Sequence, residues 1–426
     1  MKKRYIQILL LTVLWLSSYS VASASERSEV FLFDESSELH QYKSDLKNEY
    51  PDLEVEAIDE LGILRVDGQS EQIDMIQPLF ANDFVEQGTL PKITSETMVQ
   101  ELETPYPKEF ERFAWALKIP EWPEFDYFEA MGNKGVTIAV IDSGIDTEHP
   151  LFANNVDEGR SYIENQKPTT DEFGHGTQVA GVLRMTAPKA TLVPYKVLES
   201  DGNGDSFHTL QAIVHAVDGG ADIINVSVGT YKSVNSAEER LTKKAYERAV
   251  NYAKRHKVAM VASAGNEGFN LDEKAKLEGS VHLPGGLRDV VTVGSTTKNH
   301  ELAYYSNYGK GVDIVAPGGD FGPTFLATGE MNVSYMMLTT KPLQQPHNFI
   351  DEAVELPPGY TLSFGTSLSA PMVSGAIAIL MSNDRAKKPN PNKYIQKIQR
   401  TATDLGAPGK DSFYGHGELN ILQANK

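Results

Sequence analysis

The sequence predicts an α/β fold: a mainly parallel sheet sandwiched by helices, preceded by a small α+β domain of ferredoxin-like order. Three observations point there. From about residue 106 onward, short Val- and Ile-rich runs alternate with helical patterns, as in parallel sheets covered on both faces. Ahead of them, residues 26–100 read as β-α-β-β-α-β, the split βαβ unit. After the first two dozen residues no run of eighteen apolar residues occurs, so no membrane span is expected in the remainder.

Taken in order, Lys2, Lys3 and Arg4 form a positive n-region, Ile6–Leu16 an apolar h-region, and Ala22-Ser23-Ala24 an A-x-A cleavage site. Residues 1–24 are therefore expected to be a secretory signal peptide. The next block holds 18 acidic and 5 basic residues between positions 26 and 100. Its pattern gives strand Val30–Phe33, helix Glu38–Tyr50, strand Leu53–Ile58, a turn at Asp59-Glu60-Leu61-Gly62, strand Ile63–Val66, helix Gln69–Leu79 and strand Asp83–Glu86. The polar stretch from Lys92 to Pro107, with Pro91, Pro105 and Pro107, reads as a linker. The domain boundaries that follow are 25–100 and 101–426.

In the larger part, Val136–Ile141, Leu192–Val197, Ile223–Val228, Val258–Ala262 and Val290–Val293 read as buried strands. Thr209–Asp218, Ala237–Arg255 and Ala370–Met381 read as helices. Ligands of such sheets bind beyond the carboxyl ends of the strands. Polar residues follow there directly: Asp142 after VTIAVI, Ser227-Val228-Gly229 after IINV, and Gly265-Asn266 after VAMVASA.

Composition narrows the chemistry. The chain has 426 residues, a formal net charge of −19 and no cysteine. Thiolate metal sites, disulfides and a cysteine nucleophile are excluded. The acidity argues against a nucleic-acid partner, which would need Lys and Arg to displace phosphate counterions. An exported chain without cysteine fits a Gram-positive bacterium better than a disulfide-forming compartment.

Three segments set a reactive side chain among glycines and small residues: Ile141-Asp142-Ser143-Gly144, Gly174-His175-Gly176-Thr177 and Gly365-Thr366-Ser367-Leu368-Ser369-Ala370-Pro371. A fourth, Ala262-Ser263-Ala264-Gly265-Asn266-Glu267-Gly268, supplies an amide. Singly, each has an ordinary structural reading: a helix cap for Asp142 or Ser367, a core histidine for His175, a turn for Asn266. Together, in the chain order Asp, His, Ser, they match one of the known serine-hydrolase arrangements.

With those motifs on the page, residues 136–420 resemble a peptidase of the subtilisin family, and the upstream block resembles that family's propeptide. The resemblance implies a serine endopeptidase made as a zymogen. His175 would take the Ser367 hydroxyl proton, Asp142 would orient the imidazole, and Asn266 would donate to the oxyanion together with the Ser367 backbone N–H. It further implies that Ser227-Val228-Gly229 and Gly202-Asn203-Gly204 flank an extended substrate by strand addition. Ser263, Ala264, Gly265 and Glu267 would border the first specificity pocket. Glu267, with Asp201, Asp205 and Asp272 nearby, suggests a basic residue before the cut.

The family pattern is departed from twice. The loop that wraps a tight calcium site in many members is missing, since Gly181-Val182-Leu183-Arg184-Met185 runs almost at once into Ala187-Pro188, and Leu151 stands where an Asp ligand is common. No cofactor is expected, although a different calcium site stays open. The second departure is an insertion of 46 residues, 319–364. With the missing loop and the acidic propeptide, it makes the chain resemble the lantibiotic leader peptidases. The expected partners are then a peptide or protein substrate, such as a modified lantibiotic precursor, and the chain's own propeptide, with action outside the cell. A broad degradative protease is the nearest alternative, and a non-catalytic peptide-binding scaffold the remote one.

Overall fold

A computed structural model describes residues 26–33, 36–76, 86–88, 92–94, 113, 115–116, 135–384 and 390–425. The expected signal peptide lies outside the described residues, as do most of the expected linker and residues 83–85 of the fourth strand.

The N-terminal unit follows the expected order. Strands β1 (Glu26–Leu32), β2 (Glu54–Ile58), β3 (Ile63–Gln69) and β4 (Glu86–Gly88) form an antiparallel sheet in the order β2-β3-β1-β4. Helices α1 (Ser36–Glu49) and α2 (Ser70–Ile76) complete it. Strand β1 starts four residues before the apolar run, because Glu26–Glu29 pair with Val66–Gln69 across the ladder. The sheet's apolar residues divide between its faces. Phe31, Phe33, Leu64 and Val66 pack with Leu39 and Leu46 of α1 and with Ile73 and Ile76 of α2. Val30, Leu32, Ile58, Leu61 and Ile63 join a cluster formed by the larger part of the chain.

That larger part is built on a seven-stranded sheet in which every paired neighbour runs parallel. Its strands are β6 (Thr137–Asp142), β7 (Arg160–Ser161), β8 (Thr191–Lys196), β10 (Ile223–Val226), β12 (Ala259–Ser263), β14 (Val291–Thr296) and β15 (Ile314–Pro317), in the order β15-β14-β12-β10-β6-β8-β7. Successive side chains of β6 point to opposite faces, and both faces are covered. Ile138 and Val140 pack against α3 (His175–Thr186) and a long helix, α9 (Thr366–Ser382). Ala139 and Ile141 pack against α4 (Ser206–Asp218) and α5 (Ala237–Arg255). This two-sided burial explains the unbroken apolar runs in the sequence.

One expectation is corrected here. The stretch read as a linker begins as strand β5 (Lys92–Thr94), which pairs antiparallel with β9 (Asn203–Asp205). A three-residue strand whose partner lies more than a hundred residues away leaves no local signal. The N-terminal unit also docks through side chains. Arg65 pairs with Asp205 at 3.0 Å, and Arg248 of α5 donates to the carbonyls of Phe33 (2.6 Å) and Leu61 (2.7 Å).

The inserted segment forms a hairpin, β16 (Met337–Thr340) and β17 (Tyr360–Ser363), with its own core of Phe113, Phe321, Met336, Ile350 and Leu356. It braces α3. Thr339 Oγ1 donates to Gln178 O at 2.6 Å and Thr340 Oγ1 to Thr177 O at 2.7 Å. Gly181 permits this approach, since a Cβ there would lie 2.2 Å from Thr340 Oγ1.

Candidate active site

Asp142 closes β6 at the carboxyl edge of the sheet, and His175 opens α3. His175 Nδ1 is 2.7 Å from Asp142 Oδ1, and both side chains are buried. Asp142 Oδ1 also accepts the Ser143 amide at 2.8 Å, while Oδ2 has no partner among the described residues. Burial opposes a charge on the imidazole, but the Asp142 carboxylate outweighs it and the His175 pKa is raised.

A second carboxylate fixes the start of α3. Buried Asp171 accepts from Gly174 N (2.7 Å), Thr177 N (2.8 Å) and Thr177 Oγ1 (2.6 Å), satisfying amides that a helix N-terminus leaves open. Burial pushes its pKa up. Lys196, at the end of β8, is also buried and donates to Ser143 O at 2.7 Å and Thr170 O at 3.1 Å. Sequence reading missed both residues; the one available hint was an Asp four positions before His175.

Ser367 is the second residue of α9. Its Oγ is buried with no hydrogen-bond partner among the described residues. Its carbonyl accepts from Ser227 Oγ at 3.0 Å, and a buried chain continues from Ser227 Oγ to Asn225 Nδ2 (2.9 Å) and from Asn225 Oδ1 to Ser374 Oγ (2.9 Å). Asn266 is oriented from one side. Its Oδ1 accepts Thr366 N at 2.9 Å and Thr366 Oγ1 at 2.8 Å, so neither bond uses the NH2 group. Gly365 keeps the space beside both side chains open: its φ is +143°, and a Cβ on it would lie 3.2 Å from Ser367 Oγ and 3.4 Å from Asn266 Nδ2.

A cavity of about 460 Å³ joins these groups. It is lined by His175, Ser367 and Asn266 and by Ser227, Val228, Gly229, Ser263, Gly265 and Glu267. Ala264 is buried behind the wall, where its carbonyl accepts from Asn307 Nδ2 at 2.9 Å. Gly202, Asn203 and Gly204 do not line the cavity; Asn203 and Gly204 pair with Thr94 and Ile93. The three aspartates expected near the cleft are likewise outside its lining. Asp205 pairs with Arg65, Asp272 accepts the Lys310 amide at 3.0 Å, and Asp201 holds its own turn through the Asn203 amide at 2.9 Å. The acids that do line it are Glu239, Glu267 and Glu278.

At the place where the family pattern would put the calcium loop, the backbone carbonyls face a guanidinium. Helix α3 runs unbroken to Thr186, and Arg184 donates to Leu151 O at 3.1 Å and to Pro188 O. A guanidinium already supplies the positive charge those carbonyls accept. Among the described residues no three His, Asp or Glu side chains cluster as metal ligands.

The family model described as "Subtilase family" matches residues 133–417. A thermophilic serine proteinase from Bacillus sp. (strain AK1) is 29% identical over 69% of this chain, and the chain spans 62% of that relative's length. Among solved structures, a lanthipeptide protease superposes with a TM-score of 0.70 at 40% identity, covering 74% of this chain and 95% of the other. The epidermin leader peptide processing serine protease from Staphylococcus aureus gives a TM-score of 0.74 at 25% identity, covering 94% of this chain and 98% of the other.

Proposed function

The chain belongs to the subtilase family and is a serine endopeptidase, and from that premise we propose that it removes the leader from a lantibiotic-type peptide precursor. The observation that carries this reading is the 40% identity to a lanthipeptide protease over nearly all of that protein. The test is to incubate the mature enzyme with a modified lanthipeptide precursor and with casein. Cleavage at one bond between leader and core supports the reading. General digestion of casein with no preference for the precursor would replace it with a degradative role.

Within the active site, Asp142, His175, Ser367 and Asn266 take the roles their positions suit. His175 removes the Ser367 proton during attack and returns it to the leaving amine. Asp142, through Nδ1, fixes the tautomer that leaves Nε2 free as the base. The developing oxyanion accepts from Asn266 Nδ2 and from the Ser367 amide at the start of α9, where the helix amides lack internal partners. Backbone segments on either side of the cleft, from Ser227 to Gly229 and from Gly202 to Gly204, bind an extended substrate through main-chain bonds.

The N-terminal unit is proposed as an inhibitory propeptide, cut off after export directed by residues 1–24. Its support is β5, which lies against β9 as an added strand, the position a substrate main chain would take. Downstream, Phe113 is buried in the core of the inserted hairpin and Trp115 Nε1 donates to Met336 O at 2.8 Å. The cut is therefore expected between Thr94 and Phe113. Mass spectrometry of the protein recovered from culture medium checks it. A first residue before 94 or after 113 would contradict the assignment, and absence from the medium would contradict export.

On charge alone, the glutamates of the cavity wall favour a basic residue before the cut. Their hydrogen bonds favour the opposite class.

A further inference from the structure

The cavity that Ser367 lines is also lined by residues that neither the triad nor the oxyanion groups involve. His282, in strand β13 (Ser280–Leu283), is 5% exposed and lines the cavity. Its ring lies where two glycines leave room: a Cβ on Gly229 would be 2.5 Å from Nε2, and one on Gly285 would be 2.8 Å from Nδ1. Nδ1 is buried and has no hydrogen-bond partner among the described residues. The ring centroid is 5.0 Å from that of Tyr231. Beyond Tyr231 is Lys274, of helix α6 (Leu271–Glu278), with Nζ 5.5 Å from the Tyr231 centroid and 4.2 Å from that of Phe269. Lys274 also lines the cavity.

The three glutamates of this wall are already engaged. Glu267 Oε2 accepts from Tyr231 OH and from Asn307 Nδ2, the latter at 2.6 Å. Glu239 Oε2 accepts the Ser233 amide at 2.5 Å, and its Oε1 is 3.6 Å from Lys232 Nζ. Glu278 pairs with Lys274 at 3.0 Å, but its side chain is 60% exposed against 19% for the lysine. That pair is largely solvated on the acid's side and therefore weak. An ammonium has three donors, so Lys274 can serve Glu278 and still donate into the cavity. The groups of the lining still able to engage a ligand are thus His282, whose Nδ1 has no partner among the described residues, and Lys274, which keeps N–H groups beyond its Glu278 pair. Burial holds the His282 pKa down to about 4, with the Glu267 charge pulling the other way, so the ring is neutral near pH 7 and carries one N–H.

We propose that this cavity takes an acidic side chain, Glu or Asp, from the residue before the cut, its carboxylate accepting from Lys274 Nζ and from the His282 ring. The proposal rests on the endopeptidase reading of the site. A basic side chain would bring a second cation towards Lys274 and offer His282 no acceptor. An apolar one would leave His282 Nδ1 unpartnered and offer Lys274 no acceptor beyond Glu278.

The experiment uses the mature enzyme, with a separate aliquot labelled at the active serine by a fluorophosphonate to count sites and the unlabelled enzyme assayed. Its substrates are quenched fluorescent peptides identical except for Glu, Asp, Gln, Leu, Lys or Arg before the cut. We expect kcat/KM for Glu to exceed that for Gln by roughly 10–100-fold, the scale of a charge-assisted hydrogen bond, and Arg to fall below Gln. Lys274→Gln, at a half-buried position on a short surface helix, should reduce the Glu-to-Gln ratio at least about tenfold. His282→Gln is the second variant and should reduce the same ratio. Best cleavage after Arg, Lys or Leu, a flat panel, or an unchanged ratio in Lys274→Gln would overturn the proposal and leave the endopeptidase reading intact. A preparation that labels fully yet cuts no peptide would overturn both.

Discussion

Replacing Ser367 by Ala is expected to lower kcat by roughly 10⁶-fold, the scale known for subtilisin when its nucleophile is removed, while leaving the fold unchanged. The second half follows from the geometry. Ser367 Oγ has no hydrogen-bond partner among the described residues, so deleting it breaks no bond. Its backbone is fixed by other groups: the carbonyl accepts from Ser227 Oγ, and the preceding Thr366 is bound twice by Asn266. A melting temperature close to that of the parent, beside lost hydrolysis of a quenched peptide, is the expected pair of results. Retained hydrolysis would remove Ser367 as the nucleophile. Asn266→Ala separates the oxyanion role from the covalent one. Its loss in kcat should be roughly 10²–10³-fold, but here the melting temperature should fall too, because Thr366 N and Oγ1 both lose their shared acceptor, Asn266 Oδ1. A variant that melts early yet keeps full kcat would mark Asn266 as a structural residue only.

How much of this was legible in the sequence depends on the range of the interaction. The runs VTIAVI and IINV announce strands buried on both faces, and β6 and β10 stand there side by side. The four small-residue motifs announce their own chemistry, because a reactive side chain beside a close backbone approach requires glycine locally. What sequence could not show were pairings between distant segments. Thr94 against Asn203, Arg65 against Asp205, and Thr340 against the catalytic helix each join stretches with no shared pattern. The same reason hid part of the cavity lining. Lys274 sits in an unremarkable polar helix and His282 in the strand SVHL, and they line one cavity only through the chain's return along β13. Three acids expected near the cleft, Asp201, Asp205 and Asp272, proved to serve turns and docking instead.

Asp142→Asn should cost roughly 10⁴-fold in kcat and should also move the pH profile, and the direction of that movement tests the electrostatics of the site. In the parent, burial disfavours the His175 imidazolium, yet the carboxylate at 2.7 Å overcomes it and the pKa stands above its ordinary value of 6.5. His175 must be neutral to accept the Ser367 proton, so the acidic limb of kcat/KM is expected above pH 6.5. In Asp142→Asn the main favourable charge is gone while the burial remains. Asp171 still lies near the ring, but burial raises its own pKa and weakens its hold on a charge. The limb should therefore shift to lower pH, even though the maximum rate collapses because the amide can favour the wrong imidazole tautomer. Stability carries the same sign. A pKa raised on folding stabilises the parent below the unfolded histidine value, and that contribution is lost as pH rises through the folded value. The variant lacks most of this dependence, so the gap between the two melting temperatures should narrow from pH 5 to pH 8. A limb that stays in place in Asp142→Asn would mean that some group other than the Asp142 carboxylate sets the charge state of His175.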